Sequence, residues 1–414
     1  MIKSFKKIFG EGLFKDSLFV AISNIYSKFM AYIFYFITAI FLGTESFGLL
    51  RGLLPLLDVF TIFFCSGIPP SMAKHISEDG TTNWTVDILK VMFILSIVGA
   101  LLLILSKNIL GGGYKQVSLD IYLVLGVAII LSSIISWSRG VLQGLLKIKV
   151  LSLTWIIESS LKVLSLPILI IMYGVLGPFI SISVGYALSG IYGILKLSSI
   201  ISFKNITSLK INIQMVKKIL FYGVPIALST ASYRLLNDLD SMFIMALLGS
   251  YENGLYGYPS LLSRGAFLFA FAISVPLVPR IAKSKDINDF KKSIILNFIA
   301  ILPLIIIFNL FPSEILKLFF GVVNLDSSFS LRILSISAGF MSSYTLCSSA
   351  LQGLGRAEIP LYVLIIGILI NGILNYALIP IYGIIGGAIA TLISSIFIFI
   401  GVFIGILKYY KDYT

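Results

Sequence analysis

The sequence predicts an all-α polytopic membrane protein, with about twelve transmembrane helices in two parallel six-helix repeats, and three observations carry that reading. Hydrophobic residues fill 58% of the 414 positions, charged residues only 12%, and mean hydropathy is +1.03, too little polar surface for a water-soluble chain of this length. Apolar runs of about 20 residues recur, enough to cross a hydrocarbon core of roughly 30 Å. The pattern is also written twice. Leu142-Gln143-Gly144-Leu145 recurs as Leu351-Gln352-Gly353-Leu354, and Tyr173-Gly174-Val175-Leu176-Gly177 as Tyr382-Gly383-Ile384-Ile385-Gly386, both displaced by 209 positions. Pro70-Ser71-Met72-Ala73-Lys74 matches Pro279-Arg280-Ile281-Ala282-Lys283 at the same displacement. Leu42-Gly43 with Gly48-Leu49 matches Leu248-Gly249 with Gly254-Leu255 at 206, so a three-residue indel falls between positions 49 and 70.

Read in order, the first half supplies Leu18–Leu42, Gly48–Ser71, Val86–Leu105, Asp120–Ser138, Val150–Met172 and Gly177–Ile201. The second supplies Ile219–Leu248, Gly254–Val278, Ser293–Phe311, Ser328–Leu351, Glu358–Ile379 and Gly386–Leu407. Unbroken apolar stretches such as Val91–Leu105 and Ile294–Phe308 exclude the alternating strands of a membrane barrel. An N-lobe over 1–204 and a C-lobe over 205–414 follow, joined near Ser202–Lys217. An even number of spans per half makes the repeats parallel, around a central cavity. Most of the 31 Lys and Arg fall on one side of this arrangement, while the other side takes Arg51, Lys107, Lys115 and Lys317. That bias places both termini in the cytoplasm of a multi-pass protein in the cell membrane. Met1–Lys15, with Ile2, Phe5, Ile8 and Phe9 among lysines, suits an interfacial helix.

Catalysis is not expected. The single histidine, His75, stands beside Lys74 at a span end, and Gly111-Gly112-Gly113 lacks the Lys-Ser/Thr of a phosphate-binding loop. No metal-ligand spacing of His or Cys occurs, and Cys65 and Cys347 read as core packing. The net charge of +13 is spread over loops as a topology signal, with no basic face for nucleic acid. Movement of something across the membrane is the default for such a chain.

Ionisable groups at membrane depth are costly, so each is a functional candidate. The cations are Lys28, Arg139, Lys162, Arg234, Arg264 and Arg332, with Arg51 near a span end; the anions are Asp58, Glu158, Asp238 and Asp240. Lys28 and Arg234 are repeat equivalents at 206. Glu158 precedes Lys162 by one turn, and Arg234 precedes Asp238 likewise, spacings that permit intrahelical pairs. Asp240 lies roughly 200° around the helix from Asp238 and cannot share its arrangement. Asn371 and Asn375 stand one turn apart in an apolar span, and Thr391 follows in the next. Asp240, Asn371, Asn375 and Thr391 fall in one layer, and their oxygens suit a hard cation such as Na⁺, although paired asparagines also bond helices together.

The stretch from Leu351-Gln352-Gly353-Leu354-Gly355-Arg356-Ala357-Glu358-Ile359-Pro360 through Asn371, Asn375, Ile379-Pro380 and Tyr382–Thr391 resembles the multidrug/oligosaccharidyl-lipid/polysaccharide (MOP) exporter superfamily. So do Phe41–Leu49 and the segment from Asp240 to Gly254-Leu255-Tyr256. The likeness covers the whole chain and is nearest the polysaccharide-transport (O-antigen flippase-like) branch, kin to lipid II flippases. It implies a MATE-like two-lobed fold and a monomer in the lipid bilayer. By alternating access it would flip a polyprenyl-phosphate- or pyrophosphate-linked oligosaccharide from the inner to the outer leaflet, for cell-envelope glycan biosynthesis. The resemblance implies that Lys28, Arg51 and Arg264 contact the phosphate in a cationic central cavity, and Arg234 joins them as the repeat equivalent of Lys28. It implies Na⁺ at Asp240, Asn371, Asn375 and Thr391, with H⁺ and the membrane potential as other candidate driving forces. The competing readings are a cation-coupled multidrug (MATE-type) exporter, which wants an acidic cavity, and a membrane glycosyltransferase, which wants a large loop with clustered acids.

Overall fold

The computed structural model describes residues 11–80, 82–201, 203, 211–265, 270, 273–274, 277–278, 280–281 and 287–411, and every regular element among them is helical. In order these are α1 (Glu11–Thr61), α2 (Pro69–Asp79), α3 (Thr85–Leu110), α4 (Gly112–Gln116), α5 (Leu119–Gly144), α6 (Ile148–Tyr173), α7 (Gly177–Leu197) and α8 (Ile213–Leu247). They continue as α9 (Ser250–Gly265), α10 (Ile287–Leu310), α11 (Pro312–Phe320), α12 (Leu325–Gly353) and α13 (Glu358–Lys411), with one π-helical turn at Ile62–Ser66 and a 3₁₀ turn at Gly174–Leu176.

Among the described residues, six stretches are long and apolar enough to cross a membrane: Phe19–Asp79, Thr85–Leu110, Leu119–Gly144, Ile148–Leu197, Asn288–Leu310 and Glu358–Tyr409. Three of them, of 61, 50 and 52 residues, would measure about 75–90 Å if straight, at 1.5 Å per residue. Each therefore holds two crossings, and each breaks at a glycine with non-helical backbone: Gly43, Gly174 and Gly383. Two further stretches qualify as bent pairs, Ile213–Ser232 with Asn237–Leu247 at 69° and Pro312–Phe320 with Leu325–Gly353 at 108°. The expected span Gly254–Val278 begins in α9, and most of its second half lies outside the described residues. So do the interfacial segment before residue 11 and part of the block Pro279–Lys283.

The duplication is visible in the backbone. Gly174 adopts φ 55°, ψ −124° and its repeat equivalent Gly383 adopts φ 59°, ψ −141°, a region essentially closed to residues with a Cβ. Three residues on, both repeats pack helix against helix without side chains. A Cβ on Gly177 would stand 2.6 Å from the Leu169 carbonyl oxygen, and one on Gly386 would stand 2.4 Å from that of Leu378, the position 209 residues later. Both hairpins are thus closed by the same two glycines.

The exposed faces are apolar: Leu101 and Leu105 on α3, Leu164, Ile168 and Ile171 on α6, and Leu369, Ile373 and Ile404 on α13. Inside, serines are returned to the backbone, as in Ser132, Ser133 and Ser138 of α5, whose hydroxyls donate to carbonyls three residues back. Such bonds are what a bilayer demands of buried hydroxyls.

The chain divides into two compact units. The first comprises Met1–Phe41, Leu56–Leu110 and Lys115–Ala231; the second comprises Leu42–Pro55, Gly111–Tyr114 and Ser232–Thr414. These borders differ from the 204/205 division drawn on the sequence: two of them fall where α1 kinks near Gly43 and where α8 bends between Ser232 and Asn237, so the first unit takes the beginning of α8.

Candidate functional site

The polar centre of the second unit is assembled from α8, α9, α12 and α13. On α8, Asn237 and Asp240 are one turn apart and share a face. On α9, Tyr256, Ser260, Ser263 and Arg264 follow helical spacing along another. The break at Gly383 doubles α13 back, so that Asn371 before it and Thr391, Ser394 and Ser395 after it reach the same place. Small residues admit α8: a Cβ on Gly372 would lie 3.6 Å from Leu239, and one on Gly387 would lie 3.1 Å from Ile244.

These elements enclose a cavity of about 50 Å³ lined by Asn237, Asp240, Ser260, Arg264, Asn371 and Thr391, with Ser337 of α12 and Ser394 and Ser395 of α13. A water occupies about 10–15 Å³ on this measure, so the space holds a few waters or one small ion with its shell. Asp240 is buried, 4% exposed, and satisfied by neutral donors. Tyr256 donates its hydroxyl to Oδ2, Thr391 Oγ1 donates to the same oxygen at 3.3 Å, and the Ser241 amide donates to Oδ1 at 2.9 Å. Asn375 lies one turn beyond Asn371 and donates Nδ2 to its Oδ1 at 2.9 Å. The Oδ1 of Asn375 is buried without a hydrogen-bond partner among the described residues. Of the four residues expected around a cation, three line one cavity, and Asn375 reaches it through Asn371.

The expected phosphate contacts separate into two kinds. Arg51 and Arg264 are both tied to Asp238: Arg264 Nη1 is 2.5 Å from Oδ1 and Arg51 Nη2 is 3.5 Å from it. Arg264 also donates Nη2 to the carbonyl of Asn237, and Arg51, 2% exposed, donates to Ser260 Oγ at 3.2 Å. Arg234 acts on Asp238 through its charge as well, so that carboxylate gathers three arginines. Lys28, in the first unit, and Arg234, in the second, are exposed. The expected Glu158–Lys162 pair forms in the first unit at 2.6 Å.

Sequence reasoning missed Tyr256, Ser260, Ser263, Ser394 and Ser395 as part of the site. Their signal is present, since Ser260 and Ser263 precede Arg264 on one helical face and Ser394 and Ser395 follow Thr391 by three and four residues. Among the described residues no group of three His, Cys, Asp or Glu side chains is placed to hold a metal.

Comparison with known proteins adds to this geometry. A family model described as polysaccharide biosynthesis protein matches residues 13–285, and one described as MatE matches residues 225–377. An uncharacterized membrane protein of Methanocaldococcus jannaschii is 47% identical over 403 residues, covering 94% of this chain and 97% of that one. A protein of Haloferax volcanii named as a probable low-salt glycan biosynthesis flippase is 25% identical over 400 residues, covering 92% of this chain and 81% of that one. Among solved structures, a lipid II flippase in its inward closed conformation superposes with a TM-score of 0.75 at 16% identity, over 94% of this chain and 87% of that chain. The fold is therefore that of an all-α, MATE-like polytopic membrane protein.

Proposed function

Because this chain belongs to the polysaccharide biosynthesis protein family of the MOP exporter superfamily, whose members are membrane transporters, we propose that it flips a lipid-linked oligosaccharide across the cell membrane. The cargo is a glycan on a polyprenyl phosphate or pyrophosphate, passed from the inner to the outer leaflet by alternating access, with both termini in the cytoplasm. The flippase name of the Haloferax relative supports this reading of the substrate. The observation that carries it is the pair of exposed cations at equivalent positions of the two repeats, Lys28 on α1 and Arg234 on α8. A multidrug exporter of organic cations wants the opposite charge at such positions. Lys28 offers a point charge and Arg234 a fork to a phosphate group. Arg51 and Arg264 would join them only by leaving Asp238, so in this conformation they act as its counter-ions.

The second-unit cavity suits Na⁺ by its donors: one carboxylate, a hydroxyl and two amides, with the Oδ1 of Asn375 lacking a hydrogen-bond partner among the described residues. Asp240, Thr391, Asn371 and Asn375 would hold the ion, which would supply a positive charge that tracks the transmembrane gradient. Tyr256 keeps the Asp240 carboxylate oriented, and Leu334 and Ile398 supply apolar wall to the same cavity.

The cellular test replaces the chromosomal gene in its own host with a Lys28→Ala, Arg234→Ala variant. A flippase of this kind leaves lipid-linked oligosaccharide stranded on the inner leaflet and the cell surface short of glycan. Normal surface glycan with that variant, at normal protein levels, would remove Lys28 and Arg234 from the mechanism.

A further inference from the structure

A cluster in the first unit breaks the symmetry of the duplication. Glu158 of α6 offers one carboxylate oxygen to Lys162 Nζ at 2.6 Å and the other to Arg139 Nη2 of α5 at 2.6 Å. Thr154 steadies Arg139 further, taking Nε on its Oγ1 at 3.1 Å and Nη2 on its carbonyl at 3.2 Å. Two aromatic rings complete the group. The Trp155 ring centre lies 5.9 Å from the Arg139 guanidinium carbon, and that of Tyr186 on α7 lies 4.7 Å from Lys162 Nζ. At 209 positions on, Arg139, Trp155, Glu158, Lys162 and Tyr186 become Ser348, Leu364, Gly367, Asn371 and Ser395. The second unit builds the equivalent helices with none of these side chains, so the fold does not require them.

The cluster faces away from lipid. Lys162 stands roughly 160–180° round α6 from Leu164 and Ile171, both exposed and apolar. Even so, the Lys162, Arg139 and Glu158 side chains keep 22%, 19% and 14% of their surface exposed. Charged groups exposed at membrane depth border water or cargo, because hydrocarbon does not solvate them. Among the described residues, Lys162 meets Glu158, the Tyr186 ring and the charge of Asp58, while Arg139 meets Glu158, Thr154 and the Trp155 ring. An ammonium carries three N–H groups and a guanidinium five, so both bases keep donors for a ligand.

Helix α1 packs beside this cluster. Ser27 Oγ lies 3.4 Å from Ser159 Oγ and donates to the Trp155 carbonyl at 3.3 Å, and the Tyr26 hydroxyl meets Ser160 Oγ at 2.7 Å. Lys28, the exposed cation assigned above to the phosphate of the cargo, is the next residue.

We propose that Trp155, Tyr186, Arg139 and Lys162 form a sugar-binding face of the first unit, with Glu158 positioning the two bases. The inference rests on the transport reading above and gives the glycan a subsite of its own, beside the phosphate contact at Lys28. A pyranose has an apolar C–H face, which suits an aromatic ring, and a rim of hydroxyl oxygens that accept N–H groups. A phosphate would have to draw the bases off Glu158. A neutral sugar takes their remaining donors and leaves both ion pairs intact.

The test compares two probes for binding to purified full-length protein in detergent. One is lipid-linked oligosaccharide extracted from the host, and the other is the same extract stripped of its glycan by mild acid. The wild type should bind the intact lipid roughly tenfold or more tightly than the stripped one. Trp155→Leu and Lys162→Met should each lose roughly tenfold on the intact lipid and bind the stripped lipid as the wild type does. Intact lipid should also shift tryptophan emission to the blue in the wild type and not in Trp155→Leu, because Trp84 and Trp137 are buried at 9% and 0%. Trp155→Leu keeps both ion pairs, so it decides the matter if Lys162→Met purifies poorly. No preference in the wild type, equal loss on both probes, or no loss on either would overturn the proposal, since a purely structural cluster does not tell glycan from bare lipid. A wild type that binds neither probe would instead defeat the transport reading itself, and the sugar face with it.

Discussion

Arg264 pairs with one acid while lining the cavity of another: its Nη1 lies 2.5 Å from Asp238 Oδ1, and Asp240 faces the same cavity that its side chain borders. Two aspartates separated by a single residue on α8 therefore have different partners. Asp238 is held by arginines, and Asp240 by Tyr256, Thr391 and a backbone amide. Helical geometry makes the division, since positions two apart point to different faces.

The first prediction concerns Asp238. Replacing it with Asn leaves Arg51, buried at 2%, and Arg264 without their shared counter-ion. Breaking one partner of a buried pair costs about 3–5 kcal/mol. Unfolding of the purified protein should show a loss of that order, and adding Arg264→Met should recover part of it. A loss below about 1 kcal/mol would mean that the arginines find other partners.

Asp240→Asn should abolish any stabilisation by Na⁺ that K⁺ does not reproduce, measured as Tm against salt at constant ionic strength. Tyr256→Phe should weaken the same response while leaving it present, because a hydrogen bond to a charged group contributes about 1.5–3 kcal/mol. An unchanged Na⁺ response in Asp240→Asn would place the ion elsewhere.

Gly174→Ala and Gly383→Ala should each destabilise by about 1–3 kcal/mol, from backbone angles that a Cβ resists. Their near-identical angles predict near-identical costs. A large difference between the two would show that the repeats tolerate strain differently.

Much of this was legible in advance. The 209 displacement makes Gly174 and Gly383 partners in the sequence alone, and Asp240, Asn371 and Thr391, which helix depth places in one layer, line one cavity in the structure. Contacts between distant helices were not legible. The i,i+4 rule paired Glu158 with Lys162 but said nothing of Arg139, 19 residues earlier, whose guanidinium takes the second oxygen. Arg51 was named as a phosphate contact through the family resemblance alone, and nothing in its own stretch of sequence pointed to its acid partner on α8. Tyr256 was hidden in a Gly-Leu-Tyr-Gly run, where an aromatic residue is ordinary packing until its hydroxyl is seen on Asp240.

The orientation of the chain has its own test. The sequence contains two cysteines, Cys65 and Cys347, both fully buried, so the wild-type protein should be silent to a membrane-impermeant maleimide in intact cells. Lys115→Cys, at an exposed position, should label from outside. Lys147→Cys, also exposed, should label only after permeabilisation. The reverse pattern would invert the topology and the direction of transport.

The most direct measurement is flipping of a fluorescent polyprenyl-pyrophosphate oligosaccharide by purified protein in proteoliposomes, with leaflet position read by a membrane-impermeant quencher. The account predicts protein-dependent transfer that falls at least tenfold in Lys28→Ala and responds to a Na⁺ gradient only while Asp240 is intact. Absence of transfer by protein that exports an organic cation under the same gradients would contradict it.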